Sequence, residues 1–211
     1  MFNLTKEEER LFKSLNTPGK IQDFLNKIPI NFEEDGKDTC YSPRRVLRKN
    51  KCHCMEGAVL AALILRVNGY PPLLVDLTAS SKDFDHVIAV FQINGKWGAI
   101  SKTNHATLRY REPVYETIRE LVMGYFNEYF NDNGKKTLRS YSDAVDLTMF
   151  DDINWMTTEN EVWEIPEYLG EVEHFNILTK SQIMGLRDAD EIEMKAGDII
   201  EYKSEKMKDN L

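Results

Sequence analysis

From Cys54 to Asn68 almost every residue is apolar or small, and Gly69-Tyr70-Pro71-Pro72 follows with a glycine stop and two proline breaks. A helix with no polar face has to be covered on every side, so this segment predicts a central helix around which the rest of the chain is built. The 211 residues suffice for one well-filled core and do not demand a second. The organisation read from the sequence is a single domain over residues 1–211, with a core at about 40–130, a helical N-terminal segment at 1–30 and a C-terminal extension at 131–211.

The flanking segments supply the cover. Leu73–Leu77, His86–Ile93 and Trp97–Ile100 are apolar runs of strand length, and Asn94-Gly95 is a two-residue hairpin signal, which together predict an antiparallel sheet. Thr5 with Glu8 reads as a capping box for a first helix. Thr17-Pro18 starts a second helix that stops before Pro29, and Ser42-Pro43 starts a short third one carrying Arg44, Arg45 and Arg48. After Pro113, the residues Val114, Ile118, Leu121, Val122, Tyr125, Phe126 and Tyr129 recur at helical spacing, predicting a second long helix packed on the sheet as scaffold. Beyond Asn131 the signals are weaker: a strand over Glu171–Leu178, a helix over Thr179–Ala189, and a solvated loop at the acidic stretch Asp143–Asp152, which lacks the glycine-centred ligand loop of a calcium site. The class is α+β, a cysteine-bearing central helix on an antiparallel sheet with additional helices.

A net charge of -8 opposes an extended phosphate backbone or an anionic lipid surface, so neither nucleic acid nor membrane is expected as a partner. The N-terminus lacks the basic-then-apolar layout of a secretory signal, and the expected location is cytoplasmic. Cys40, Cys52 and Cys54 are odd in number and crowded together, a poor disulfide framework, which turns attention to thiol chemistry.

Cys54 is the candidate nucleophile. It opens the central helix, where unpaired backbone N–H groups favour a thiolate, and Arg44, Arg45, Arg48, Lys49 and Lys51 before it would push the thiol the same way. Acyl chemistry at sulfur also needs an imidazole, and His86, opening an apolar strand, is placed to supply it. The ordinary alternatives are a packed cysteine and a hydrogen-bonded core histidine. Cys40, Cys52, His53 and Cys54 are of the residue types that hold structural zinc, but consecutive Cys-His-Cys lacks the Cys-x-x-Cys spacing and no second ligand pair follows, so no metal or other cofactor is expected. His105 and His174 receive no role.

The run Cys54-Met-Glu-Gly-Ala58, then Ala61-Ala-Leu-Ile-Leu-Arg66 and Gly69-Tyr-Pro71, resembles the nucleophile helix of the transglutaminase-like superfamily. Asp85-His86-Val-Ile-Ala-Val resembles that family's histidine strand, and Trp97-Gly-Ala-Ile-Ser101 its tryptophan-containing strand. Ser101 stands where an orienting aspartate is usual, with Asn104 as the nearest amide alternative. The resemblance covers roughly residues 40 to 105, and Arg109–Tyr115 also looks like part of such proteins. It implies a transglutaminase-like or papain-like core with a Cys-His site acting on an amide or ester bond of a peptide, protein or small amide, by hydrolysis or acyl transfer. The alternative is a catalytically impaired fold of that kind serving as a peptide- or protein-binding module.

Overall fold

In the computed structural model, residues 2–34 and 36–204 are described. Three short helices come first: α1 (Lys6–Ser14), α2 (Pro18–Asn26) and α3 (Pro43–Lys49). Each starts where its cap was read. The Thr5 hydroxyl accepts from the Glu8 N–H while the Glu8 carboxylate accepts from the Thr5 N–H, and Thr17 and Ser42 cap the proline-led starts of α2 and α3.

The central helix α4 (Cys54–Val67) has every residue from Met55 to Leu65 buried, as a helix without a polar face requires. Gly57 is needed here, because a Cβ at that position would lie 2.5 Å from the Cβ of Lys102. The three N-terminal helices pack round α4 on one side and the sheet covers the other.

The sheet begins with β1 (Leu73–Ala79), β2 (His86–Ile93) and β3 (Lys96–Ser101). Asn94 and Gly95 turn the β2–β3 hairpin with φ of 52° and 75°, the doubly positive pair of a type I′ turn. Then follow β4 (Arg111–Tyr115), α5 (Ile118–Met123), β5 (Leu138–Ser142), β6 (Val145–Asp146), α6 (Glu164–Glu171), β7 (His174–Asn176), α7 (Lys180–Met184) and α8 (Glu191–Gly197). Among the described residues seven strands form one antiparallel sheet, in the order β4-β3-β2-β1-β5-β7 with β6 paired to β1. Alternation divides its side chains between two cores. Leu74, Val87, Ala89, Phe91 and Ile100 meet α4, whereas Val75, Leu77, Ile88, Val90 and Ala99 meet Leu121, Val122, Tyr125 and Tyr129.

The second long helix does not form. Residues 111–115 are the outermost strand, α5 ends at Met123, and Phe126–Glu128 make a separate 3₁₀ turn. Pro113 is tolerated on a sheet edge, where its missing N–H need not serve a ladder on both sides. Gly124 ends α5 against Tyr115: a Cβ there would sit 2.7 Å from the Tyr115 hydroxyl and 2.9 Å from the Leu121 carbonyl. Leu121, Val122, Tyr125 and Tyr129 still reach the core, but Val114 is 63% exposed.

The weaker C-terminal signals also resolve differently. The strand read over Glu171–Leu178 shrinks to β7, and the helix read over Thr179–Ala189 to α7. The stretch Asp143–Asp152 contains β6 and a 3₁₀ helix, Leu147–Ile153, in place of a solvated loop. Asp151 pairs there in bidentate fashion with Arg66 at the end of α4, at 2.5 and 2.6 Å. Among the described residues no helix is long and apolar enough to cross a membrane.

Candidate active site

Cys54 is the first residue of α4, and His53 is its N-cap. Cys54 is half-buried, while Cys40 and Cys52 are fully buried. Burial would push the Cys54 thiol up, yet the neighbouring imidazoles of His53 and His86 outweigh it and bring the thiol down to about 5. Cys52 shows burial without such partners; desolvation pushes it up to about 12.

The basic cluster before Cys54 does not do this work. Arg44 is paired with Glu8 at 2.7 Å, Arg45 with Glu161 at 3.0 Å and Arg48 with Glu159 at 2.5 Å. These cations tie α3 to α1 and to the C-terminal part of the chain, and the groups that act on the sulfur are imidazoles.

His86, 7% exposed at the start of β2, places Nε2 2.8 Å from the Ser101 hydroxyl oxygen. The Ser101 hydroxyl donates its single proton to the Leu108 carbonyl at 2.5 Å, so toward His86 it can only accept. Nε2 of His86 therefore carries hydrogen, and Nδ1 is the nitrogen left for other partners. Ser101 is itself clamped: its carbonyl accepts from the Gln22 side-chain amide at 2.8 Å, and its N–H donates to the Gln22 side-chain oxygen at 2.9 Å. Asn104 does not reach this group. Its amide donates to the Tyr202 carbonyl at 3.0 Å and accepts from the Tyr202 N–H at 2.9 Å.

Beneath His53 lies Glu56, a carboxylate with no solvent exposure. It accepts from the N–H of His53 at 3.0 Å, the N–H of Tyr41 at 3.0 Å, the Thr39 hydroxyl at 2.8 Å and the Asn31 amide at 3.3 Å. The His53 ring sends Nε2 to the Thr39 carbonyl at 2.8 Å. Burial would lower the His53 pKa, but contact with Cys54 and the nearby charge of Glu56 raise it to about 9. Glu56 was missed in the sequence although it stands three residues after His53, the spacing of a capping box; Gln22, on a different helix, left no such signal.

His53, Cys54 and His86 share one cleft of about 690 Å³ with Ile30, Phe84, Lys102, Leu108 and residues of α8. Lys102 is buried, its ammonium donating to the Leu25 carbonyl at 3.0 Å and to that of Ile28. The segment after α8 runs along the rim, Ala106 N–H donating to the Ile199 carbonyl at 3.0 Å and Glu201 N–H to the Asn104 carbonyl at 2.9 Å. His105 lies here too, with Nδ1 on the Gly197 carbonyl at 2.7 Å, whereas His174 lies outside the cleft. A second hollow, of about 560 Å³ beside Asp143, Asp146, Tyr168 and Glu173, contains none of these groups. Among the described residues no set of three or more His, Cys, Asp or Glu is arranged to hold a metal ion, and the Cys40 thiol turns away to the Val162 carbonyl at 3.6 Å.

No family model and no curated protein matches this sequence. Among solved structures the chain is similar to Legionella pneumophila LapG (EGTA-treated), with 18% identity and a TM-score of 0.37 over 44% of this chain and 57% of that one. The chain thus spans less than two thirds of the structure it matches.

Chemically, the site offers a half-exposed sulfur of low pKa, an imidazole whose far nitrogen is fixed, and a space beside both. Such a set is suited to nucleophilic attack followed by proton delivery.

Proposed function

We propose that this protein is a transglutaminase-like cysteine enzyme acting on an amide or ester bond, with Cys54 as nucleophile, His86 as acid and base, and Ser101 orienting the imidazole. One observation carries the reading: a half-exposed thiol at a helix start lines the same cleft as the His86 ring. The quoted motifs around Cys54, His86 and Trp97 agree with it.

The Cys54 thiolate attacks the carbonyl carbon, forming a C–S bond and placing the electron pair on oxygen. As the C–N or C–O bond breaks, the imidazolium of His86 gives its proton to the leaving group. Water or an amine then attacks the thioester, its proton passes to His86, and the thiolate is released. Water makes the reaction hydrolysis and an amine makes it acyl transfer. A peptide, protein or small amide is the substrate class, and a reducing cytoplasmic setting would keep the thiol in working form.

The test is turnover on a panel of amides and esters by wild type, Cys54→Ser and His86→Ala. Wild-type turnover lost in both variants supports the reading. A second reading, a binding module in the old cleft, is favoured by Ser101, because a hydroxyl cannot stabilise an imidazolium as a carboxylate does. Peptide binding retained in Cys54→Ser, with wild-type protein inert across the panel, would select that reading.

A further inference from the structure

Resting on the assignment of His86 as acid and base, we propose that Leu108 is a positioning residue for that ring: its left-handed backbone, held by Glu128, keeps the Ser101 hydroxyl proton turned away from His86 and so decides which imidazole nitrogen carries hydrogen.

The starting observation is conformational. Leu108 has a φ of 57°, and the other non-glycine residues of positive φ among those described are Asn3, Asn50, Asn94, Asn154 and Glu33. Asparagine enters this region at little cost because its short polar side chain bonds locally, whereas a branched aliphatic residue brings its Cβ close to the backbone carbonyl and gains nothing in return. Such a residue stays there only where its surroundings hold it. Here both backbone polar groups of Leu108 are taken: its N–H donates to Glu128 Oε2 at 3.0 Å, and its carbonyl accepts from the Ser101 hydroxyl at 2.5 Å.

Glu128 is fixed in turn. The same Oε2 accepts from Arg111 Nη2 at 2.7 Å, and Arg111 is anchored by the Gly124 carbonyl at 3.1 Å and by stacking 4.2 Å over the Tyr125 ring. The Leu108 side chain is half-buried against the core that contains Leu121, Val122 and Tyr125. A line of contacts therefore runs from Arg111 on β4, through Glu128 of the 3₁₀ turn, to Leu108, Ser101 and His86.

At the end of that line the chemistry is a count of hydrogens. A serine hydroxyl has one hydrogen to donate and lone pairs to accept with. With the hydrogen spent on Leu108, the oxygen can only accept from His86 Nε2, 2.8 Å away, which puts the hydrogen of the neutral ring on Nε2 and leaves Nδ1 with its lone pair. As acid and base the ring then works through Nδ1. Were Leu108 to leave the left-handed region, its carbonyl would turn from Ser101 and the freed hydroxyl would donate to Nε2. The tautomer with hydrogen on Nδ1, which cannot take up a proton there, would gain.

The test reads the tautomer itself, by ¹⁵N NMR of the His86 ring at a pH that leaves it neutral, in wild type, Leu108→Gly, Leu108→Val and Glu128→Ala. Wild type should hold Nε2–H over Nδ1–H by about fivefold, the weight of one net hydrogen bond. Glycine enters the left-handed region freely, so Leu108→Gly should keep that ratio although it loses apolar volume. Valine keeps more of the volume but fits a positive φ worse, so Leu108→Val should bring the two tautomers close to parity. A residue that merely packs predicts the opposite order, with valine the milder change. The Glu128 side chain is 41% exposed, so Glu128→Ala breaks the same line without opening the core and should also approach parity. Turnover needs Nδ1 vacant and should fall by up to about twofold in Leu108→Val. An Nδ1–H tautomer in wild type, a wild-type ratio in either folded Leu108→Val or Glu128→Ala, or a ratio kept better by valine than by glycine would overturn the proposal. A ratio that follows Leu108 in a protein with no turnover on any substrate would defeat the enzyme assignment and leave the role of Leu108 standing.

Discussion

Two histidines occupy different parts of the same sheet, and the contrast separates the pairing proposed as reactive from a structural one. His174 on β7 places Nε2 3.3 Å from the Asp76 carboxylate and Nδ1 2.8 Å from the Val172 carbonyl. His86 on β2 meets only the hydroxyl of Ser101 with its Nε2. Of these two, the imidazole paired with a carboxylate thus lies outside the cleft that holds the thiol, and the one that lines the cleft has a neutral partner. A histidine on a carboxylate does not define a site; a nucleophile within reach and space for a substrate do.

The contrast can be broken by substitution. His86→Ala should lower turnover by about 10²–10⁴-fold, the usual weight of a positioned acid–base group, whereas His174→Ala should leave turnover unchanged. Steady-state assay of both variants on one substrate decides this, and equal losses would erase the distinction.

Ser101 sharpens it. Ser101→Ala should lower turnover by roughly tenfold, since the ring loses one orienting acceptor but remains confined by burial. Ser101→Asp should not raise turnover, because the Leu108 carbonyl, now accepting from the serine hydroxyl at 2.5 Å, would face a second acceptor. Denaturant unfolding of Ser101→Asp should show a loss of about 1–3 kcal/mol, the cost of polar groups left unpaired in a buried place.

At the other pair the effects fall on stability. His174→Ala should cost about 1–2 kcal/mol by removing a partner from buried Asp76, again read by denaturant unfolding. The smallest effect concerns pH. Burial first, and then Asp85, raise the Asp76 carboxyl above its ordinary 3.8, with His174 and Thr78 pulling it back only in part. The folded state thus holds its proton to higher pH than the unfolded chain, so this group's contribution to stability declines as pH rises from 3.8 through the folded-state value. Asp76→Asn should flatten that decline, and an unaltered pH–stability slope would show that Asp76 does not cause it.

Much of the frame was legible because burial is written in composition. The run from Cys54, the Gly-Pro stop, the Asn94-Gly95 turn and the capped helix starts each state a local physical preference that the fold honours. Segment 111–129 shows where that logic fails: apolar residues at helical spacing serve equally well as an edge strand followed by a short helix, and pairing with β3 together with Gly124 against Tyr115 decides between them. β5 and β7 were faint for a related reason, since they are short and their cover comes from β1 and from each other.

The sequence by itself determined the buried central helix, the hairpin, and the placing of Cys54 and His86 at the starts of their elements, because each depends on residues adjacent along the chain. Tertiary structure decided the partners. Ser101 pairs across the hairpin with Ile88 and so lies beside the strand that His86 opens, whereas Asn104, past the end of β3, is held by Tyr202. Likewise the arginines before Cys54 were drawn off to Glu8, Glu159 and Glu161, and the imidazoles of His53 and His86 took their place near the sulfur. Charge acts through space and falls off with distance, so what a thiol feels is set by which side chains the fold leaves within a few ångströms of it.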